Sequence, residues 1–207
     1  MKVLMLNGSP HKDGCVNRAL EEMVSIFNEE GVESEIIQVG HKDIRGCISC
    51  LKCRELKKCV FDDEVNEIAE KLKESDGLVI GSPVYYASAN GTLLALLDRL
   101  FYSASYDLKM KVGASVVSCR RGGNTSTFDI LNKYFSINQM PIASSTYWNM
   151  VYGFTKEDVE KDLEGLQTMR NLAKNMVFLM KSIKLGKEEY GIYETDRGAR
   201  TSFPDGK

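Results

Sequence analysis

Five times along this 207-residue chain a short strand-like run, in most cases strongly apolar, is followed after a polar stretch by residues with helical periodicity. The first run is Lys2 to Leu6, where Val3, Leu4, Met5 and Leu6 follow one another without a polar break. Apolar continuity of this kind belongs to strands buried on both faces, which is a property of parallel sheets. Ala19, Leu20, Met23, Val24 and Phe27 then recur at spacings of three and four, the stripe of a helix laid on a sheet.

The same reading places strands at Ser34–Val39, Gly77–Gly81 and Val112–Ser118, and a fifth, short one at Met140–Ala143. Pro141 assigns that last strand to a sheet edge. Asp62 and Asp63 cap a helix striped by Val65, Ile68, Ala69 and Leu72; further stripes follow at Leu93–Phe101 and Phe128–Phe135. A long helix is expected from Thr155, capped with Asp158, to about Leu185, with its stop at Gly186. The fold class is α/β: a five-stranded parallel sheet with helices on both faces, one domain over residues 1–186. The tail, 187–207, is expected to be mobile or packed on a neighbouring subunit. A cysteine-rich segment, 44–61, interrupts the pattern after the second strand.

In such sheets ligands sit outside the carboxyl ends of the strands, at a switch in strand order. Three loops open there. The first, residues 8–17, combines Ser9, His11, the Asn17 amide and the N–H groups of Cys15, Val16 and Asn17 at a helix start, a cradle for a phosphate held without metal. An ordinary capped β-α turn is the plainer reading of that loop taken alone. It has no G-x-x-x-x-G-K-[ST] and no G-x-G-x-x-G, and no acidic residue follows the second strand to take a ribose hydroxyl. The second loop, with Pro83, Val84, Tyr85, Tyr86 and Ala87, offers flat, rigid surfaces for an aromatic ring. The third, with Ser118, Arg120, Arg121 and Gly122, offers close backbone approach and positive charge. A phosphate with a planar ring system is FMN.

The net charge of −2 argues for neither nucleic acid nor an anionic membrane as partner. No apolar run approaches membrane-spanning length and no leader precedes the first strand, so the expected location is the cytoplasm. There, six cysteines point to metal or redox roles before structural disulfides. Cys47, Cys50, Cys53 and Cys59 follow C-x2-C-x2-C-x5-C, a run able to wrap a compact [4Fe-4S] cluster. Zinc, reduced thiols or a disulfide are the alternatives. Arg45, Lys52, Arg54, Lys57 and Lys58 would offset a thiolate-bound cluster's negative charge, or form a solvated basic face. Cys119 reads first as a small packed hydrophobe at a strand end, with a reactive thiol as the alternative. Tyr147 and Trp148 read as core or subunit contact.

Asn7-Gly8-Ser9-Pro10, the run Gly81-Ser82-Pro83-Val84-Tyr85-Tyr86 leading to Leu97-Asp98-Arg99, and the cysteines ending ahead of Asp62-Asp63 together resemble the NADPH-dependent FMN reductase group of the flavodoxin-like superfamily, and within it the iron-sulfur flavoproteins. The resemblance covers Met1 to about Leu185. It departs where many relatives carry arginine at position 11 and Asn-Thr at Cys15-Val16, which leaves more of the phosphate to His11 and Asn17. It implies a flavodoxin-like three-layer sandwich, non-covalent FMN, and a homodimer or homotetramer with the flavin near a subunit boundary. The implied activity is an FMN-dependent oxidoreductase using NAD(P)H, passing electrons to a small acceptor, through a cluster where one is held. No side chain is expected to act as catalytic acid or base, because the flavin carries the chemistry. Two other readings stand beside it: an electron carrier serving ferredoxin-like partners, and a zinc-stapled flavin-binding module.

Overall fold

The computed structural model describes residues 1–199 and Thr201. β1 (Lys2–Asn7), β2 (Glu33–Gln38), β3 (Gly77–Tyr85), β5 (Val112–Cys119) and β6 (Met150–Tyr152) form a parallel path in the order β2-β1-β3-β5-β6. A sixth strand, β4 (Ser88–Ala89), turns back antiparallel on the end of β3. The sheet is therefore six-stranded rather than five-stranded. Its parallel path has the flavodoxin-like order, with the switch in direction between β1 and β3.

Side-chain alternation on the central strands divides the core in two. Val3, Met5 and Val79 pack on one face with α1 (Cys15–Glu29) and α7 (Leu163–Tyr190). Leu4, Leu6, Leu78 and Ile80 pack on the other with α3 (Glu64–Lys73), α4 (Gly91–Ser103) and α5 (Asn124–Ile137). Both faces being covered explains why these strands read as unbroken apolar runs.

The edge strand differs from the expectation. Met140–Ala143 makes one isolated bridge, Ile142 to Gly113, while the edge strand proper is Met150–Tyr152 against Val117–Cys119. Between them the chain leaves the sheet because α7 holds it: Asn175 Nδ2 donates to Ser144 O at 2.8 Å and Ser145 Oγ to Thr168 O at 2.7 Å.

The last helix is two helices. Thr155 and Asp158 form the expected capping box, but of the short α6 (Lys156–Val159). Asp162 then starts α7 by accepting from Gly165 N at 2.9 Å. α7 passes through Gly186 and ends at Gly191, which sits at φ 72°. Beyond it Lys109 Nζ bonds Tyr193 O, and Thr195 Oγ1 lies 3.1 Å from Gln139 Oε1, so the described tail starts along its own chain. No helix among the described residues is long and apolar enough to cross a membrane.

Candidate functional site

The carboxyl ends of β1, β3 and β5 bring the three loops together. Gly8 N donates to Gly81 O at 2.8 Å, tying the first loop to the second. A Cβ added at Gly123 would meet Val84 Cγ1 at 2.8 Å, so the third loop lies against the second as well.

The first loop is braced from within. Asn7, fully buried, accepts from Ser9 N at 2.9 Å, and Ser9 Oγ accepts from His11 N at 3.1 Å. Ser9 thereby keeps its hydroxyl proton for another acceptor. Gln38 Nε2 bonds Ser9 O, and Asn17 sits between Asn7 Nδ2 at 3.4 Å and Glu21 Oε1 at 2.7 Å. Gly40 packs so tightly under this loop that a Cβ there would lie 2.2 Å from Gly8 O. Val16 is buried beneath the turn and His11 is exposed.

α1 begins at Gly14 with no side-chain cap and no acidic residue in its first turn. α5 begins at Gly123 (φ 84°) in the same way. α3, α4 and α7, by contrast, are capped by Asp63, Asn90 and Asp162. The two uncapped long helices therefore present their first-turn N–H groups and positive dipole ends at this one edge of the sheet, an arrangement that favours an anion.

The second loop is stiffer than a loop. Pro83, Val84 and Tyr85 belong to β3, and Tyr86 and Ala87 are the two tip residues of its hairpin with β4. Tyr86 adopts φ 40° and is fully exposed, and Tyr85 is also exposed. Ser88 beside them carries a buried hydroxyl with no hydrogen-bond partner. Ser118 is buried, whereas Arg120, Arg121 and Gly122 are exposed. Cys119 packs inside, where burial pushes its thiol pKa up, so it is the packed hydrophobe. Burial also raises that of Cys15, whose Sγ donates to Thr155 O at 3.3 Å. Tyr147 and Trp148 are exposed, with ring centroids 5.2 Å apart, and so are not core.

A fourth loop at this edge escaped the sequence reading, because the edge strand was expected ten residues earlier. Tyr152 OH accepts from Asn124 Nδ2 at 2.7 Å at the start of α5, and Lys156 Nζ pairs with Asp13 at 2.8 Å. The signal was present in Met150-Val151-Tyr152-Gly153, a short apolar, β-favouring run closed by glycine.

Cys47, Cys50, Cys53 and Cys59 all line one shallow, open pocket, together with Phe61 and Tyr102. Ser49, Leu51 and Lys57, between these cysteines, all take left-handed backbone (φ 54°, 58° and 59°), and α2 (Cys53–Leu56) supplies one short turn. Runs of such strained residues turn a chain around a centre, and they concentrate at sites. Ser49 N donates to Cys47 Sγ at 3.4 Å and Arg99 Nε to Cys59 Sγ at 3.3 Å. Among the described residues no three acidic, histidine or cysteine side chains are drawn to a single ion-holding point. The four thiols share a cavity without being clenched. As a donor set, four sulfurs with N–H donors on two of them suit a soft, thiolate-bound metal group.

A doubly covered parallel sheet of order β2-β1-β3-β5-β6, with two uncapped helix starts at its carboxyl edge and an aromatic hairpin beside them, has the architecture of the flavodoxin-like flavoproteins. The sequence matches the NADPH-dependent FMN reductase family over residues 1–155. It is 35% identical over 192 residues to an iron-sulfur flavoprotein of Methanocaldococcus jannaschii, covering 89% of this chain and 100% of that one. Against an iron-sulfur flavoprotein of Methanosarcina thermophila it is 29% identical over 193 residues, 91% of this chain and 100% of the other. Among solved structures it is similar to RosB with a bound 8-demethyl-8-formylriboflavin-5'-phosphate intermediate: TM-score 0.68, 15% identity, covering 99% of this chain and 92% of that one. The chain belongs to the NADPH-dependent FMN reductase family, alongside members named iron-sulfur flavoproteins. It is a flavin-dependent oxidoreductase.

Proposed function

We propose that FMN binds non-covalently at the carboxyl edge of β1 and β3, and that Cys47, Cys50, Cys53 and Cys59 hold a [4Fe-4S] cluster. The observation that carries the flavin site is the pair of uncapped helix starts, α1 and α5, on either side of one aromatic hairpin. Ser9 Oγ and the first-turn N–H groups of Cys15, Val16 and Asn17 hold the phosphate, with His11 at its open side. Pro83 to Ala87 form the surface against the ring. Ser118, Arg120, Arg121 and Gly122, with the start of α5, supply donors that stabilise negative charge on the pyrimidine edge. When bound, FMN supplies one- and two-electron chemistry and the cluster supplies single-electron transfer. Because Tyr85 and Tyr86 stand open, a second copy of the chain is proposed to cover the ring, as a homodimer or homotetramer.

The reaction proposed is electron transfer from NAD(P)H to a small acceptor. Steady NAD(P)H oxidation with a quinone under anaerobic conditions tests it, and turnover at or below the rate of free FMN would contradict it. One observation favours a second reading, in which the chain carries electrons for ferredoxin-like partners: Cys47 and Cys50 are exposed at the surface. Reduction by reduced ferredoxin but not by NAD(P)H would support that reading in place of the first.

A further inference from the structure

We infer that Arg99 is a positioning residue that raises the reduction potential of the cluster through Cys59, with Asp63 setting how much of its charge is felt. The inference rests on the cluster reading above and goes beyond it. Arg99 has a side chain only 1% exposed and is the largest of the fully buried side chains. All three of its guanidinium nitrogens are engaged. Nη1 and Nη2 grip Asp63 at 2.7 and 2.8 Å, Nη1 also reaches Arg45 O at 3.3 Å, and Nε donates to Cys59 Sγ at 3.3 Å. Phe61 closes the group off, its ring centroid 5.0 Å from the Arg99 guanidinium carbon and 4.6 Å from that of Arg45.

A purely structural role does not call for this arrangement. Burying an ion pair costs desolvation that a packed apolar pair of similar volume avoids. The bidentate Asp63 pair already satisfies two of the three nitrogens; the third is spent on a cysteine of the C-x2-C-x2-C-x5-C run. Adding one electron to a four-thiolate group adds one negative charge beside Cys59. A buried cation and an N–H···S bond both favour that more negative state, and the low-dielectric surroundings strengthen both. Asp63 opposes the effect with its own charge. Arg99 also lies on α4, whose start at Gly91 follows the aromatic hairpin, so one rigid helix fixes the cysteine cavity relative to the flavin loop.

The test is an anaerobic redox titration of the full-length reconstituted protein, followed by EPR, with iron measured on each sample. Asp63→Asn keeps an acceptor for the α3 cap at Val65 N while removing the opposing charge. It is expected to raise the cluster potential by a tenfold change in the reduced-to-oxidised ratio, about 59 mV for one electron. Arg99→Met combined with Asp63→Asn leaves no buried unpaired charge, and is expected to lower the potential below wild type by a similar factor. Variants that lose iron while the loaded fraction keeps the wild-type potential would show Arg99 to be scaffold only and overturn the inference. Loaded variants whose potentials both match wild type would overturn it equally. A wild-type protein that takes up no cluster would instead overturn the reading on which it rests.

Discussion

Ser9 is buried in the first loop with its oxygen accepting from His11 N, which leaves one hydroxyl proton to give. A hydrogen bond to a charged group contributes about 1.5–3 kcal/mol. Ser9→Ala is therefore expected to weaken FMN binding roughly ten- to hundredfold while leaving riboflavin, which lacks the phosphate, unaffected; calorimetric titration of the apoprotein with each flavin checks this. Equal losses for both flavins would move the phosphate elsewhere. That Ser9 and Asn17 share the first loop, and that the four cysteines line one pocket, was legible in the sequence because each set lies within its own short run. Arg99 was not assigned a role, because its meaning comes from Asp63 and Cys59, 36 and 40 positions away, and no local pattern announces such a partner.

Where elements meet, the predictions turn on two junctions. The chain just past β2 runs under the first loop at Gly40, where a Cβ would collide with backbone at Gly8 and Ser9. Overpacking of this kind costs about 1–3 kcal/mol. Gly40→Ala should accordingly lower stability by that order and displace the phosphate cradle, weakening FMN more than tenfold; unchanged flavin affinity would show the loop to be more compliant than drawn. The second junction clasps α6 to α1. Arg18 holds the Glu160 carboxyl below its ordinary 4.5, the Thr155 and Phe154 N–H groups hold Asp158 below 3.8, and Glu157 is lowered chiefly by its own backbone N–H. Lowered folded-state values mean that the fold favours the ionised carboxylates. Their contribution is complete above about pH 4.5 and is lost as pH falls through the ordinary values toward the folded ones. Urea midpoints should fall between pH 6 and pH 3.5, and hydrogen exchange should show α6 opening first. Protection of α6 that holds steady across this interval would contradict the clasp. The break between α6 and α7 was hidden in the sequence because both halves share one apolar periodicity; it is made at Asp162, which leaves helical backbone (ψ 72°) and accepts from Gly165 N and Tyr152 N.

For the whole molecule, the doubly covered parallel sheet was readable from its unbroken apolar strands, since burial on both faces leaves that mark directly in composition. The edge was not. Met140–Ala143 and Met150–Tyr152 both lie along β5, and which of them pairs at length is decided by α7, which pulls the chain between them off the sheet. The displaced edge also concealed the fourth loop at the carboxyl edge of the sheet. The proposed flavin loops and the cysteine pocket share no lining residue, so the two proposed sites should be separable by mutation. Cys53→Ser is expected to remove most of the iron while leaving FMN stoichiometry unchanged, as acid-labile sulfide and flavin assays would show; loss of both together would mean that the cavities are coupled. The central claim is most directly tested by purifying the protein without oxygen and measuring flavin, iron and acid-labile sulfide on one sample. One FMN per chain, released by denaturation, with about four irons and four sulfides, is the predicted result. A protein that carries no flavin and takes none up when FMN is supplied would contradict the account at its base.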